Sequence, residues 1–176
     1  FNQSYKITPT IFNIWIKLLK KIDNSVLWLM STNKWAEKNL KEKANLEGIK
    51  KSRIIFARKL PNKQHLARIK NADIFLDTLP YNGHTTACDF IFMGVPVLTI
   101  KGKSFASRVA ASLLNAINVP EMITSTPKEY ELLALKLAKS PKKLISIKKK
   151  LLQNKFTSPL FDTKLYTSNL ENAYEK

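Results

Sequence analysis

Leu76-Asp77-Thr78-Leu79-Pro80-Tyr81-Asn82-Gly83-His84-Thr85-Thr86-Ala87-Cys88-Asp89 reads as a buried strand that runs out at Asp77, a turn carrying Pro80, Asn82 and Gly83, and a helix opening at two threonines. The first N–H groups of such a helix have no partner within it and carry the positive end of its dipole, so the turn at Gly83 suits an anion, a phosphate above all. Thr86 and Asp89 also stand three apart, the spacing of a capping box, and that purely structural reading competes with the ligand reading. It leaves His84 unexplained. An imidazole directly before two hydroxyls at a helix start forms, with the free N–H groups, a dense donor set for a diphosphate. Asp89, one turn past Thr85 on the same face, could instead accept from sugar hydroxyls.

Outward from this stretch the chain alternates. Thr8-Pro9 is a cap-then-proline start, followed at helical spacing by Ile11, Ile14, Trp15, Leu18, Leu19 and Ile22. Val26-Leu27-Trp28-Leu29-Met30 is a short apolar run of the kind found in a strand covered on both faces. A helix over 35–47 stops at Gly48, Arg53-Ile54-Ile55-Phe56 supplies the next strand, and a helix over 61–71 leads to Ile74-Phe75-Leu76-Asp77. The helix over 85–93 leads through Gly94 and Pro96 to the strand Val97-Leu98-Thr99-Ile100. Such alternation predicts an α/β fold of right-handed βαβ units, a Rossmann-like, doubly wound parallel sheet with its crevice beyond the carboxyl ends of the strands. The loops after Met30, Phe56, Asp77 and Ile100 are expected on one rim. Beyond Gly102 the pattern is mostly helical, with helices expected over 105–117, 127–139, 141–154 and 162–174. In the third of these, Leu144, Ile147, Leu151 and Leu152 are expected inward and Lys142, Lys143, Lys148, Lys149, Lys150 and Lys155 outward.

At 176 residues and 44% hydrophobic, the chain is expected to form one domain, residues 1–176, with a real core. It begins at Phe1 without an initiator Met, a signal stretch or an apolar run long enough for a membrane, and reads as a cytoplasmic piece of something longer, with no membrane partner. The formal net charge of +17 raises a basic nucleic-acid-binding module as an alternative. Only Arg53, Arg58, Arg68 and Arg108 among the thirty basic residues are arginines, and the lysines are spread along helical faces, so a nucleic-acid partner is not the expectation. Cys88, the single cysteine, reads as a packed thiol. No Asp-x-Asp pair, His/Cys cluster or Glu–His helix suggests a metal site, and neither a Walker loop nor Gly-x-Gly-x-x-Gly is present.

Two further clusters carry chemistry. In Pro61-Asn62-Lys63-Gln64-His65-Leu66-Ala67-Arg68, His65 and Arg68 are neighbours on one helical face. They form either an ordinary surface helix with Arg68 paired to a carboxylate, or a rim where imidazole stacks on a base and guanidinium bonds its carbonyl edge. In Phe1-Asn2-Gln3-Ser4-Tyr5-Lys6, Gln3 and Lys6 matter if the segment reaches the rim, where Lys6 would meet the charge of a leaving phosphate. The competing reading is a frayed terminus.

Together these stretches, with Phe105-Ala106-Ser107-Arg108-Val109-Ala110-Ala111-Ser112 and Ser158-Pro159-Leu160-Phe161-Asp162-Thr163, resemble the C-terminal catalytic lobe of the O-linked N-acetylglucosamine transferase and SPINDLY family, nearly end to end and in order. The resemblance implies the C-terminal lobe of a GT-B fold with extra C-terminal helices, and inverting, metal-independent transfer from a UDP-sugar to a Ser or Thr hydroxyl of a protein acceptor. It implies no cofactor beyond that donor. An N-terminal lobe and a tetratricopeptide array would lie outside this chain, which alone would bind more readily than it catalyses. Carried over by position, Gln3 and Lys6 would contact the diphosphate, with Lys6 as the catalytic group stabilising the leaving phosphate. His84, Thr85 and Thr86 would bind phosphates, Asp89 the ribose, His65 and Arg68 the uracil, and the backbone near Ala57 the base. Where animal members carry a nucleotide-contacting lysine this chain has Asn62, with Lys63 adjacent. A catalytically dead sugar-nucleotide-binding domain and a relative glucosylating asparagine are the remaining alternatives.

Overall fold

The computed structural model describes residues 1–175. Helix α1 (Pro9–Lys21) is capped by the Thr8 hydroxyl, which accepts from the Ile11 N–H at 3.3 Å, and it buries Ile11, Phe12, Ile14, Trp15, Ile16, Leu18 and Leu19. Strand β1 (Leu27–Met30) pairs in parallel with β2 (Ile54–Ala57), Leu27 opposite Ile54 and Met30 opposite Ala57, with α2 (Lys34–Leu46) between them in sequence. After α3 (Asn62–Ile69), β3 (Phe75–Leu76) pairs in parallel with β4 (Val97–Ile100), and α4 (Thr85–Phe92) makes the crossover. All strand pairing is thus parallel, in two hydrogen-bonded sheets, β1-β2 and β3-β4-β5, the last strand being β5 (Ile123–Thr124).

Strand β5 (Ile123–Thr124) is an unexpected addition to the mostly helical pattern beyond Gly102. Two residues between Pro120 and Ser125-Thr126-Pro127 are too few to display a period of two. The strand expected over 74–77 is similarly cut to Phe75–Leu76, although the Asp77 N–H still donates to the Leu98 carbonyl at 2.9 Å. The helix expected from 105 begins at Val109 as α5 (Val109–Ala116), behind a 3-10 turn over Phe105–Ser107.

All four residues of β4 are buried, as befits a strand with partners on both edges and helices α5 and α6 (Pro127–Ala138) packed against it. Two further helices follow, α7 (Pro141–Asn154) and α8 (Thr163–Tyr174). Ile147 and Leu151 of α7 are buried as expected, but Leu152 is 51% exposed. It lies over Gly94, which ends α4 with φ of +76° and where a Cβ would meet Leu152 Cδ2 at 2.7 Å, so glycine is required there for both conformation and space. The lysines of α7 are partly engaged: Lys150 pairs with Glu121 at 2.9 Å, Lys148 with Asp73 at 3.7 Å, and Lys155 sits 3.5 Å over the Phe92 ring. No helix among the described residues is long and apolar enough to cross a membrane.

Candidate functional site

The chain leaves β3 into a loop held by its own polar side chains. Asp77 is wholly buried, and an unpaired charge there would be costly. One carboxylate oxygen accepts from the Gly83 N–H at 2.6 Å and from Asn2 Nδ2 at 3.4 Å, the other from Thr99 Oγ1 at 2.7 Å. Burial pushes its pKa up to about 6, against the pull of those hydrogen bonds. The Asp77 carbonyl accepts from the Tyr130 hydroxyl at 3.0 Å, and the Tyr130 hydroxyl oxygen accepts from Trp15 Nε1 at 3.2 Å, so α6 and α1 buttress the loop from beneath. Thr78 Oγ1 donates to the Tyr81 carbonyl at 2.7 Å and accepts from Asn2 at 2.8 Å; the Thr78 carbonyl accepts from Asn82 Nδ2 at 2.8 Å. The Leu79–Pro80 peptide is cis.

The first residues are packed onto this loop, not frayed. A 3-10 turn over Ser4–Lys6 brings Lys6 Nζ to the Asn82 carbonyl at 2.9 Å and 3.8 Å over the Tyr81 ring. Burial lowers the Lys6 pKa and the Asp77 charge pulls it the other way. Gln3 is exposed, and its carbonyl accepts the Lys6 N–H at 3.0 Å. The loops after β1 and β4 also reach this region. Thr32, after β1, donates to Ser4 at 2.9 Å, and the Asn82 N–H donates to the Ala106 carbonyl at 2.9 Å.

Helix α4 has His84 at its N-cap, with φ −97° and ψ −91°, and no side-chain cap. The capping box between Thr86 and Asp89 therefore does not form, because the helix starts two residues too early and leaves Thr86 inside its first turn. The His84 ring lies 5.2 Å from Tyr81 and, edge-on, 6.1 Å from Phe105, with Nε2 3.4 Å from the Ala106 carbonyl. Thr85 is exposed and Thr86 half-buried. An ammonium, an imidazole, two hydroxyls and uncapped N–H groups thus meet around one turn, an arrangement that holds a polyvalent anion.

A second cluster lies on α3. His65 Nδ1 is 2.8 Å from Arg68 Nη2, and Arg68 Nη1 donates to the Arg58 carbonyl at 2.5 Å, with the guanidinium 4.8 Å from the centre of the Phe1 ring. Arg68 thus takes a backbone carbonyl and an aromatic face in place of the carboxylate expected of a surface helix. Its Nε is buried without a partner among the described residues. Burial lowers the pKa of His65, with Arg68 adding to that and Asp89 opposing it; burial raises that of Asp89, with His65 opposing. Asp89 of α4 and His65 of α3 therefore feel one another's charge. Phe1 joins the clusters: its ring meets Trp28 at 4.6 Å, His65 at 5.7 Å and Phe90 at 5.9 Å, while Asn2 next to it binds Asp77 and Thr78.

Two expected residues are not brought in. Ala57 is buried at the end of β2, with its carbonyl accepting the Ser31 N–H at 2.8 Å. Lys63 is exposed on the first turn of α3, beside Asn62. Conversely, Asp77, Asn2, Asn82 and Tyr81 were absent from the expected set. A carboxylate closing the apolar run Ile74-Phe75-Leu76 was the available signal, since such a group has to be paired. Cys88 is half-buried and burial raises its thiol pKa, as a packed cysteine requires. Among the described residues no three His, Cys, Asp or Glu side chains gather as a metal-ion set.

The sequence model of glycosyl transferase family 41 matches residues 1–170. The UDP-N-acetylglucosamine--peptide N-acetylglucosaminyltransferase of Caenorhabditis elegans is 37% identical over 172 residues, 98% of this chain and 15% of that protein. The probable enzyme of the same name, SEC, from Arabidopsis thaliana is 39% identical over 177 residues, 100% of this chain and 18% of its own. A mutant O-GlcNAc transferase from Thermobaculum terrenum superposes with a TM-score of 0.92 at 30% identity, over 99% of this chain and 34% of that one. The chain thus spans less than a fifth of these curated relatives and about a third of the solved structure, and its fold is the C-terminal lobe of a GT-B glycosyltransferase. On a match that runs almost from end to end, the chain belongs to glycosyl transferase family 41.

Proposed function

We propose that this chain is the donor-binding lobe of a UDP-sugar-dependent protein O-glycosyltransferase that moves N-acetylglucosamine to Ser or Thr hydroxyls. The observation that carries the reading is the Lys6 ammonium, 2.9 Å from the Asn82 carbonyl, beside the uncapped start of α4 with His84 at its N-cap. In this reading the diphosphate sits on the N–H groups and hydroxyls of Thr85 and Thr86, with His84 and Gln3 at its edges. The Asp77 carboxylate behind the loop favours the charged form of Lys6, which burial disfavours. A fixed ammonium at that place stabilises the negative charge that grows on the leaving phosphate as the glycosidic bond breaks. Positive charge from Lys6 and the helix start takes the place a metal ion would otherwise fill, so the transfer is metal-independent. A single displacement by the acceptor hydroxyl inverts the anomeric carbon. Asp89, His65 and Arg68 take the nucleoside, Asp89 accepting from ribose hydroxyls. The acceptor-binding lobe and a tetratricopeptide array belong to a longer cytoplasmic protein, without which this lobe binds its donor and does not turn over.

Calorimetric titration with UDP is the test. Wild-type chain is expected to bind, and at one hundred times the Kd the ligand adds about 2.7 kcal/mol of stability. Lys6→Ala and His84→Ala are each expected to weaken UDP by about tenfold, the loss of one charge-assisted contact. No heat and no thermal shift at millimolar UDP would sink the reading.

A further inference from the structure

Asp77 touches none of the groups proposed to meet the donor, yet several of them hang from it. Its carboxylate receives the Gly83 N–H at 2.6 Å, the Thr99 hydroxyl at 2.7 Å and the Asn2 amide at 3.4 Å. These partners come from the loop, from β4 and from the first residues of the chain. We propose that Asp77 is a positioning residue for diphosphate binding: it ties the loop, the central strand and the N-terminal segment to one carboxylate, so that His84, the α4 start and Lys6 reach the same anion. The inference rests on the donor-site reading above.

Three observations carry it. Taking the Gly83 N–H inward fixes the peptide just before His84, so the next N–H groups begin the helix without a cap. The space at Gly83 is already filled: a Cβ there would meet Asn2 Oδ1 at 3.1 Å and Asp77 Oδ1 at 3.3 Å, so the two side chains together close on the loop backbone. Finally, Asn2 bonds Thr78 at 2.8 Å as well as Asp77, and four residues later Lys6 bonds Asn82, so the segment bearing the ammonium is sewn to the loop at two places. A carboxylate buried at the end of a strand could have been an apolar residue if packing were all it supplied. Its cost at that depth is offset by the donors it orders.

The test compares wild type, Asp77→Ala, Asp77→Asn and Thr99→Val as the complete 176-residue chain, each titrated with UDP and with uridine, its fold checked by circular dichroism. Asp77→Ala is expected to lose UDP affinity by about tenfold or more while uridine binding stays near the wild-type value, because His65 and Arg68 stand on α3 and are linked to Asp77 only indirectly, through Phe1 and Asn2. A merely structural loss would lower both. Asp77→Asn, whose amide oxygen still accepts from Gly83 while its NH2 faces a hydroxyl that can turn to accept, is expected to restore UDP binding to within about threefold of wild type. Should Asp77→Ala fail to fold, Thr99→Val carries the test, with UDP weakened about threefold and uridine unchanged. Wild-type UDP affinity in a folded Asp77→Ala, or in Thr99→Val where Asp77→Ala is unfolded, overturns the inference, as does an equal loss of UDP and uridine. Absence of UDP binding to the wild type overturns the donor-site reading instead, and is recognised before any variant is made.

Discussion

At the start of α6 the Thr126 hydroxyl accepts from the Glu129 N–H at 3.1 Å, Glu129 reaches back to the Ser125 N–H at 2.8 Å, and Pro127 occupies the first turn. At the start of α4 a comparable triplet, Thr86 to Asp89, leaves the helix without a side-chain cap. The two openings share a spacing and differ in frame. Thr126 stands outside its helix with extended backbone, while Thr86 is already inside, displaced by His84. One opening is spent on stability. The other leaves its N–H groups unclaimed, beside an ammonium and an imidazole, and that is the form a ligand site takes.

The strongest way to break this contrast is to give α4 what α6 has. His84→Asp supplies a capping carboxylate and removes the imidazole. Chemical denaturation is expected to show the variant at least as stable as wild type, gaining about 0.5–1 kcal/mol, while titration shows UDP weakened by about a hundredfold through like-charge repulsion and the lost donor.

Next in size is the response to pH. Folding raises the Asp77 pKa to about 6, so the folded state holds this proton more tightly than the unfolded chain. Below the unfolded carboxylate range both states are protonated; as pH rises from there through about 6, ionisation is increasingly penalised in the folded state. Stability owed to this group therefore rises as pH falls from 7 through 6 toward 4, by up to about 1.4 kcal/mol per unit. Unfolding free energies of wild type and Asp77→Asn are expected to converge or cross in the wild type's favour over that interval, and parallel profiles would remove the linkage.

Reversing the contrast at α6 is a smaller change. Thr126→Ala is expected to cost about 1 kcal/mol in denaturation and to leave the UDP titration where it was. Smallest of all is the basic face of α7: Lys142→Ala with Lys149→Ala, both exposed, is expected to change UDP affinity by less than about twofold, since screened surface charge steers weakly at physiological salt. A large effect there would move the anion site away from α4.

Most of the strand and helix order was legible because buried parallel strands announce themselves as apolar runs, as in Leu27–Met30 and Val97–Ile100. Strand β5 was not, since two residues carry no period. At the site, His84, Thr85 and Thr86 could be picked out because an imidazole and hydroxyls at a glycine turn have few structural uses together, whereas Lys6, far away in sequence, counted only if its segment reached the rim and through the family resemblance. Asp77, Asn2 and Asn82 were harder to see, because their meaning lies in contacts with residues far along the chain. The pairing of His65 with Arg68 was visible as helical spacing, but their company of Phe1 and Asp89 was not.

The hydrogen bond from Lys6 to Asn82 spans 76 residues and the one from Trp15 to Tyr130 spans 115. Closing loops of that length comes after local helices have formed, which places this region at the slow end of folding. During synthesis the first residues must wait, helix by helix, until Tyr130 arrives to seat against Asp77. A chain halted short of that point would lack the hydroxyl that joins Trp15 to the Asp77 carbonyl.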